Sequence, residues 1–253
     1  MGSCGIEKRV VLVTGSARGL GLEIARALAE AGAVVYINGR DRHRLQLAVE
    51  RLRKENIEVL PVVFDVADEE AYDAALDEIL ASQGRFDVLV NNVGIRLREP
   101  LDKIDGAAIR NVLNHNVVAP FMLSKRCAPM MAKGNYGRII NISSAASERG
   151  RSGDAAYIIA KGALNALTLA LAAEFAPQGI TCNAILPGAF LTETNAEAFK
   201  VKEMQERLQS RILLGRAGEP WEICSAALFL ASPGARYVTG ILLPVDGGYL
   251  AAG

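Results

Sequence analysis

A tyrosine and a lysine one helical turn apart are the most informative pair in the sequence. Tyr157 and Lys161 are four residues apart, so on a helix both side chains project from the same face. A free phenol has a pKa of about 10 and transfers protons poorly near neutrality unless a nearby cation stabilises its phenolate. With Lys161 beside it, Tyr157 could protonate a carbonyl oxygen or deprotonate an alcohol. Ser144, which follows a predicted strand, could hydrogen-bond the same substrate oxygen.

A glycine-rich turn supplies a second candidate site. Gly15, Gly19 and Gly21 follow the first predicted strand and open the first predicted helix. Glycines at this place let the backbone approach a pyrophosphate, whose charge meets free N–H groups and the positive end of the helix dipole. The turn therefore predicts a dinucleotide site. Its predicted contacts are Gly15, Ser16, Arg18, Gly19, Leu20 and Gly21.

The end of the second predicted strand favours NADP as the cofactor. Gly39 stands where a carboxylate would select NAD, and Arg40 follows it. An arginine binds a 2′-phosphate through several charge-assisted hydrogen bonds, and Arg18 could add a second cation. Both could instead be solvated surface arginines. NAD stays possible, because a small change of register would place Asp41 on the ribose.

Apolar runs rich in β-branched residues alternate with longer segments of helical periodicity. The runs predict strands near 10–13, 34–37, 59–63, 88–90, 138–142, 181–185 and 241–245. Helices are predicted near 20–31, 45–52, 69–80, 107–132, 155–175 and 221–230. Such alternation indicates parallel strands joined by right-handed crossovers. The predicted fold is α/β: one domain over residues 1–253, with a doubly wound, Rossmann-like parallel sheet and helices on both faces.

Composition narrows the function classes. The 253 residues carry 28 Lys and Arg against 28 Asp and Glu, which leaves no global field to hold a nucleic acid or an anionic membrane. The four cysteines and two histidines lack metal-ligand spacing, so no metal is expected. The first apolar run, 10–13, is too short for a signal peptide, and 163–173 is too short to span a bilayer. We expect a soluble, cytoplasmic protein whose partner is a small molecule.

Taken together, the motifs resemble the short-chain dehydrogenase/reductase family over essentially the whole chain. Besides the turn at 14–21, the family's Asn-Asn-Ala-Gly motif is matched by residues 91–94, with Val93 in place of the alanine. The family's catalytic residues are matched by Asn116, Ser144, Tyr157 and Lys161. The resemblance implies an NAD(P)-dependent oxidoreductase that transfers a hydride between a nicotinamide cofactor and a secondary alcohol or ketone.

The same resemblance implies roles for individual residues. Lys161 would also hold the nicotinamide ribose hydroxyls, Asn116 would support a water molecule in a proton relay, and Asp65 would contact adenine. The expected cofactor contacts beyond the glycine turn are Arg40, Asp65, Val66, Asn92, Gly94, Tyr157, Lys161, Pro187, Gly188, Phe190 and Thr192. His115, next to Asn116, is interpreted as a structural residue of a long amphipathic helix.

Arginines are frequent in the segments that form the family's substrate pocket. The predicted substrate contacts are Ser144, Tyr157, Arg96, Arg149 and Arg151. Guanidinium groups bind carboxylates bidentately, so we expect a sugar acid, although a solvated charged rim would have the same composition. The run 147–151 is similar to the corresponding part of gluconate 5-dehydrogenases. An insert at about 192–213 is expected to be a substrate lid.

Other functions remain open at this point. A 3-oxoacyl-thioester reductase resembles the chain almost as well and would use a basic surface to receive a phosphopantetheine carrier. A non-catalytic dinucleotide-binding protein could share the fold, but such proteins typically lose the Tyr or the Lys, and both are present. The family resemblance also implies a homo-oligomer, a tetramer or a dimer.

Overall fold

A sheet of seven parallel strands forms the framework of the molecule. The computed structural model describes residues 4–193, 195–199 and 201–252. The strands are β1 Val10–Val13, β2 Val34–Gly39, β3 Leu60–Val63, β4 Val88–Asn91, β5 Gly137–Ile142, β6 Ile180–Pro187 and β7 Leu242–Val245. Their order across the sheet is β3-β2-β1-β4-β5-β6-β7, and every neighbouring pair is parallel. The predicted doubly wound sheet is confirmed, with its switch of direction between β1 and β4.

Helices cover both faces of this sheet. They are α1 Gly19–Glu30, α2 Arg42–Lys54, α3 Glu69–Gln83, α4 Gly106–Leu113, α5 Ala119–Lys133, α6 Ala155–Phe175, α7 Ala196–Phe199, α8 Lys202–Arg211 and α9 Cys224–Ala231. Residues of α1, α2 and α9 form one core with Val11 and Val13 of β1. Residues of α3, α5 and α6 form the other core with Val10 and Leu12. Successive strand side chains point to opposite faces, so a strand buried on both sides is a continuous apolar run.

The helix predicted over 107–132 is divided in the structure. A π-helical turn, Asn114–Val118, joins α4 to α5. Pro120, in the first turn of α5, has no N–H to donate to the carbonyl of Asn116, so one hydrogen bond of a regular α-helical ladder is missing at this point. Single π-turns inside helices are frequent at functional sites, and this one contains Asn116.

Helix α6 is unusually long and apolar. With the turn that follows it (Ala155–Gln178), it has the length and composition of a membrane-spanning helix, with a mean hydropathy of 1.5. It nevertheless buries the polar side chains of Lys161, Asn165 and Thr168 and packs against β6. These features are those of a core helix in a doubly wound fold.

The start of β5 provides a test of the packing between sheet and helices. A Cβ on Gly137 would lie 2.6 Å from an Ile180 side-chain atom and 2.9 Å from the Met131 Cβ, so Gly137→Ala overpacks this core. We expect the free energy of unfolding to fall by about 1–3 kcal/mol. Urea denaturation at a fixed protein concentration measures it.

Gly162→Ala is the matched control for that measurement. Gly162 lies inside α6, and a Cβ there would meet no described atom within 4 Å. Because alanine has the higher helix propensity, this variant should be as stable as the parent or up to about 1 kcal/mol more stable. Equal effects of the two substitutions would contradict the packing described here.

Candidate active site

The glycine-rich turn is held against the neighbouring strands by side-chain amides. Asn92 donates from its amide to the carbonyls of Thr14 (3.0 Å) and Gly15 (2.9 Å), and the Gly15 N–H donates to Asn38 Oδ1 (3.2 Å). A Cβ on Gly21 would lie 2.4 Å from Asn92 Nδ2, so only glycine fits there. Gly15 takes φ +60°, a conformation that glycine adopts without strain.

Ser16 does not contact the cofactor site, contrary to the sequence prediction. Its side chain is fully buried: Oγ donates to the carbonyl of Val13 (2.6 Å) and accepts from the N–H of Asn38 (3.0 Å). Ser16 therefore ties the turn to β1 and β2 and acts on the site only through the backbone.

A cavity of about 620 Å³ extends from this turn in both directions along the carboxyl edge of the sheet. Every other predicted cofactor residue lines it: Gly15, Arg18, Gly19, Leu20, Gly21, Arg40, Asp65, Val66, Asn92, Gly94, Tyr157, Lys161, Pro187, Gly188, Phe190 and Thr192. The sequence prediction missed several further lining residues, notably Asn38, Arg44, His115 and Ser143. Gly39 and Asp41, which it considered at the ribose position, also line the cavity. Asn38 could have been found as a polar residue in an otherwise apolar strand.

The cavity fits a nicotinamide dinucleotide. No side chain of the described residues caps α1, so its first N–H groups face the cavity with the positive end of the helix dipole. Tyr157 and Lys161 lie on one side of this helix end, and Arg40 and Asp65 lie on the other. The structure thus has a place for a pyrophosphate between two nucleoside subsites.

The far nucleoside subsite mixes cations and carboxylates. Arg40 is 69% exposed and lies 3.2 Å from Asp65, and Arg44 lies 3.3 Å from Asp41. Burial tends to raise the pKa of Asp65, but hydrogen bonds from the Ala67 N–H and from Arg40 outweigh it and hold the pKa below its ordinary value. The sequence could not pair Arg40 with Asp65, because the two residues follow different strands.

His115 holds the structural position predicted for it and also lines the cofactor cavity. Its Nδ1 is 3.0 Å from the carbonyl oxygen of Asn111, which fixes the ring on the helix as expected. Its buried Nε2 has no hydrogen-bond partner among the described residues and lies 3.6 Å from Asp65 Oδ1, and the residue lines the cofactor cavity.

Lys161 and Asn116 are both buried beside the other nucleoside subsite. Lys161 is 2% exposed, and its Nζ donates to the carbonyl of Ile142 (2.8 Å). Burial lowers the pKa of Lys161 from 10.5 to about 8, so the amine is still charged near neutrality. Asn116 binds both backbone groups of Ile95: its Oδ1 accepts from the N–H (2.7 Å), and its Nδ2 donates to the carbonyl (2.8 Å).

Tyr157 differs from the sequence expectation in how its phenol is tuned. Burial is the largest influence and raises the pKa of Tyr157, whereas a hydrogen bond with Ser144 and the charge of Arg96 lower it in part. The Arg96 guanidinium carbon lies 4.7 Å from the ring centroid, closer than Lys161 Nζ at 5.9 Å. The sequence prediction named Lys161 as the nearby cation and did not identify Arg96, which comes from the loop after β4 and lies nearer to the ring.

A second cavity, of about 260 Å³, adjoins the first and shares Arg96, Ser144, Pro187, Gly188 and Phe190 with it. It also receives Phe199, Met204, Leu208, Arg211 and Ile212 from the insert predicted at 192–213. The insert thus forms one wall of this cavity. Of the predicted insert, Thr194 and Lys200 lie outside the described residues.

The predicted substrate arginines line this second cavity, but they are also bound within the protein. Arg96 forms a bidentate pair with Asp154 (3.0 and 2.5 Å), and Arg98 (3.5 Å) and Arg151 (3.4 Å) contact the same carboxylate. Asp154 is 1% exposed. Burial tends to raise its pKa, but the hydrogen bonds and charge of Arg96 and the nearby arginines hold it below its ordinary value.

Arg149 is directed toward the C-terminal segment. Its guanidinium donates to the carbonyls of Leu250 (3.4 Å) and Ala252, and lies 4.8 Å from the ring centroid of Tyr249. Arg149 and Tyr249 both line the second cavity. Neither Tyr249 nor Arg211 was singled out from the sequence, because each reaches the cavity from an element distant in the chain.

Known proteins that are similar to this chain are dehydrogenases and reductases. A family model described as "Enoyl-(Acyl carrier protein) reductase" matches residues 15–250. The chain is 36% identical to the 2-dehydro-3-deoxy-D-gluconate 5-dehydrogenase of Formosa agariphila over 97% of this chain and 94% of that protein. It is 37% identical to the 5-keto-D-gluconate 5-reductase of Escherichia coli K12 over 96% of this chain and 95% of that one.

A solved structure has a fold very similar to that of this chain. The crystal structure of a gluconate 5-dehydrogenase from Burkholderia cenocepacia, in complex with NADP and tartrate, matches with a TM-score of 0.93 and 39% identity over 99% of this chain and 98% of that one. The chain belongs to the short-chain dehydrogenase/reductase family. As a member of this family, it is an NAD(P)-dependent oxidoreductase that acts on CH–OH groups.

The residues of this family member can divide the chemistry among themselves. When bound, the nicotinamide cofactor supplies or accepts the hydride. Tyr157 is placed to give a proton to the substrate oxygen or to take one from it, and Ser144, hydrogen-bonded to it, can hold that oxygen. Lys161 contributes a buried positive charge beside the phenol, and Asn116 positions the backbone of Ile95 at the wall of the cavity.

The burial of Lys161 predicts a particular dependence of stability on pH. Its pKa is about 8 in the folded chain and 10.5 in the reference state, so between these values the unfolded chain binds more protons. The free energy of unfolding should therefore rise from pH 8 toward pH 10, by up to about 3 kcal/mol from this group. Urea denaturation of the cofactor-free protein at pH 7.5, 8.5 and 9.5 measures the slope.

Lys161→Met is the comparison for this pH series. The variant lacks the buried amine, so its stability should change less over the same pH range. The solvent-exposed control Lys133→Met should keep the slope of the parent protein. Identical slopes for the parent and Lys161→Met would contradict the low pKa assigned to Lys161.

Proposed function

We propose that this chain is an NADP-dependent oxidoreductase of a polyhydroxy acid such as gluconate, which it interconverts with the corresponding ketone. The observation that carries the proposal is the group of arginines that lines the cavity next to Ser144 and Tyr157. Guanidinium groups match the planar geometry of a carboxylate and hold it bidentately. The names of the relatives, which act on gluconate or its keto derivatives, support the same substrate class.

The preference for NADP is supported by charge at the far nucleoside subsite. Arg18, Arg40 and Arg44 line the cavity there against Asp41 and Asp65. A third carboxylate in the lining, Glu193, is paired with Arg51. The three cations thus outnumber the two carboxylates beside them, which favours a 2′-phosphate over a bare ribose. The Burkholderia cenocepacia relative was crystallised with NADP.

We also propose roles for individual residues and for the insert, and a cellular location. Asn116, Ser144, Tyr157 and Lys161 form the catalytic set, and Arg96, Arg149 and Arg151 contact the substrate. The insert after β6 acts as a lid over the cavity, and the protein works in the cytoplasm on a small-molecule substrate, without nucleic acid or membrane.

A 3-oxoacyl-thioester reductase is the second candidate. A solved structure of a 3-oxoacyl (acyl-carrier-protein) reductase with NADP bound, to which this chain is 28% identical, favours it. The arginine-lined wall argues for the sugar acid instead, because these arginines line the cavity beside Ser144, where an apolar acyl chain offers them no anionic group. A non-catalytic dinucleotide-binding role is disfavoured by the presence of all four catalytic side-chain types.

A substrate panel tests the proposed function. Gluconate, 5-ketogluconate, an acetoacetyl thioester and a neutral ketone are each incubated with the oxidised or reduced form of NADP and of NAD, and cofactor absorbance is followed. We expect the gluconate pair with NADP to give the highest kcat/KM. Tyr157→Phe should lower kcat at least about 100-fold because the proton donor is lost, whereas exposed Tyr237→Phe should not. Reduction of the thioester alone would establish the second candidate.

We also propose that the chain forms a homo-oligomer, a tetramer or a dimer. Val118 and Phe121 near the start of α5 and Leu169 on α6 are large apolar side chains that are about half exposed. Because α5 and α6 pack against each other, these residues can form one apolar face. Sedimentation velocity should show an oligomer that Phe121→Glu with Leu169→Glu weakens, and a monomeric parent protein would contradict the proposal.

A further inference from the structure

The second cavity, of about 260 Å³, is lined by more positive charge than one substrate carboxylate would balance. Five arginines line it, and none of its described lining residues is an Asp or a Glu. They are Arg96, Arg98, Arg149, Arg151 and Arg211. The chain as a whole has equal numbers of cations and anions, so this concentration is local. Guanidinium groups brought together repel one another unless anions lie between them.

The first group of cations, which we call the near seat, consists of Arg96, Arg98 and Arg151 around Asp154. All three lie within 3.5 Å of its carboxylate. One buried carboxylate balances one of the three charges, so the near seat keeps a net charge of +2. It lies next to the reacting groups, because Arg96 is 4.7 Å from the Tyr157 ring centroid.

The second group, which we call the far seat, consists of Arg149 and Arg211. Arg149 is fixed by carbonyl oxygens of the C-terminal segment and by Tyr249, and it forms no ion pair within the described part of the chain. Arg211 lies in the last turn of α8, in the insert, and forms no ion pair with any described residue. Arg149 belongs to the loop after β5, like Arg151 of the near seat, but its contacts are to the C-terminal segment and not to Asp154. Arg211 comes from the insert, so the far seat joins that loop to a different wall of the cavity.

We propose that the substrate is a dianion, by which we mean a molecule with two separate anionic groups: an acyclic polyhydroxy acid with one anionic group in the near seat and a second anionic group in the far seat. This inference rests on the proposed function, which it narrows. A single carboxylate in the near seat would leave Arg149 and Arg211 uncompensated. A second carboxylate or a phosphate ester has the charge and the oxygen geometry that guanidinium groups bind.

Matched pairs of ligands test the number of anionic groups. Tartrate and threonate share a four-carbon dihydroxy chain and differ in one terminal group, a carboxylate against a hydroxymethyl. With the NADP-bound enzyme, we expect tartrate to inhibit with a Ki at least about tenfold lower than threonate. This advantage should shrink as salt is raised, because the extra contact is ionic.

Turnover of longer substrates also tests the number of anionic groups and identifies the chemical class of the second one. Glucarate and 6-phosphogluconate each add one anionic group to the far end of gluconate. The proposal predicts that at least one of them has a kcat/KM about tenfold or more above that of gluconate. A preference for glucarate assigns a dicarboxylate to the far seat, and a preference for 6-phosphogluconate assigns a phosphate ester.

Arg211→Met is the variant that separates the two seats. It should lower the kcat/KM for each dianion more than the kcat/KM for gluconate, so that the advantage of each dianion falls to less than about threefold. Arg236→Met removes an exposed arginine outside both cavities and should leave every ratio unchanged. Circular dichroism and unfolding by urea check that both variants are folded.

Distinct results overturn the two proposals. Turnover of gluconate with no advantage for any dianion, or an advantage that survives in Arg211→Met, would overturn the dianion and leave the proposed function standing. Reduction of neutral ketones or thioesters without turnover of any acid would overturn the proposed function and the dianion with it.

Discussion

The junction between β1 and β4 is the constraint on which the rest of the site depends. At this junction the chain leaves two adjacent parallel strands in different directions, so a cleft opens at the edge of the sheet. The Thr14 hydroxyl donates to the Val90 carbonyl (3.3 Å) and accepts from the Asn92 N–H (2.9 Å). The Asn92 amide in turn holds the glycine turn. These bonds keep the end of α1 directed at the cleft, and both nucleoside subsites are defined relative to it.

Buried charge gives the cleft its chemistry. Moving an isolated ammonium or carboxylate out of water is costly, so such groups persist only with hydrogen bonds or opposite charges around them. Lys161 has the Ile142 carbonyl, and Asp154 has three arginines. Because both groups are fixed by these partners, the ring of Tyr157 has an oriented guanidinium 4.7 Å and a buried ammonium 5.9 Å from its centroid. A chain that is neutral overall thereby presents a locally positive cavity to its ligands.

Local patterns predicted much of this arrangement correctly. The spacing of Tyr157 and Lys161, and the glycines between β1 and α1, identified the family and most residues of the cofactor cavity. The errors have physical causes. Ser16 belongs to the correct turn, but its side chain points into the protein. The division of the helix near Asn116 depends on the missing N–H of Pro120. The influence of Arg96 on Tyr157 depends on the path of the loop after β4, which carries no periodic pattern.

Local sequence patterns specify the alternation of strands and helices, the glycine-rich turn, the helical spacing of Tyr157 and Lys161 and the surplus of arginines in the loops after β4 and β5. These properties follow from periodicity, backbone conformation and side-chain chemistry, all of which act over a few residues. Which distant charges meet depends on the tertiary fold. It pairs Arg40 with Asp65, groups Arg96, Arg98 and Arg151 around Asp154, and brings Arg211 and Tyr249 to the same cavity. Such meetings depend on strand order and loop paths, which determine distances between residues that are far apart in the chain.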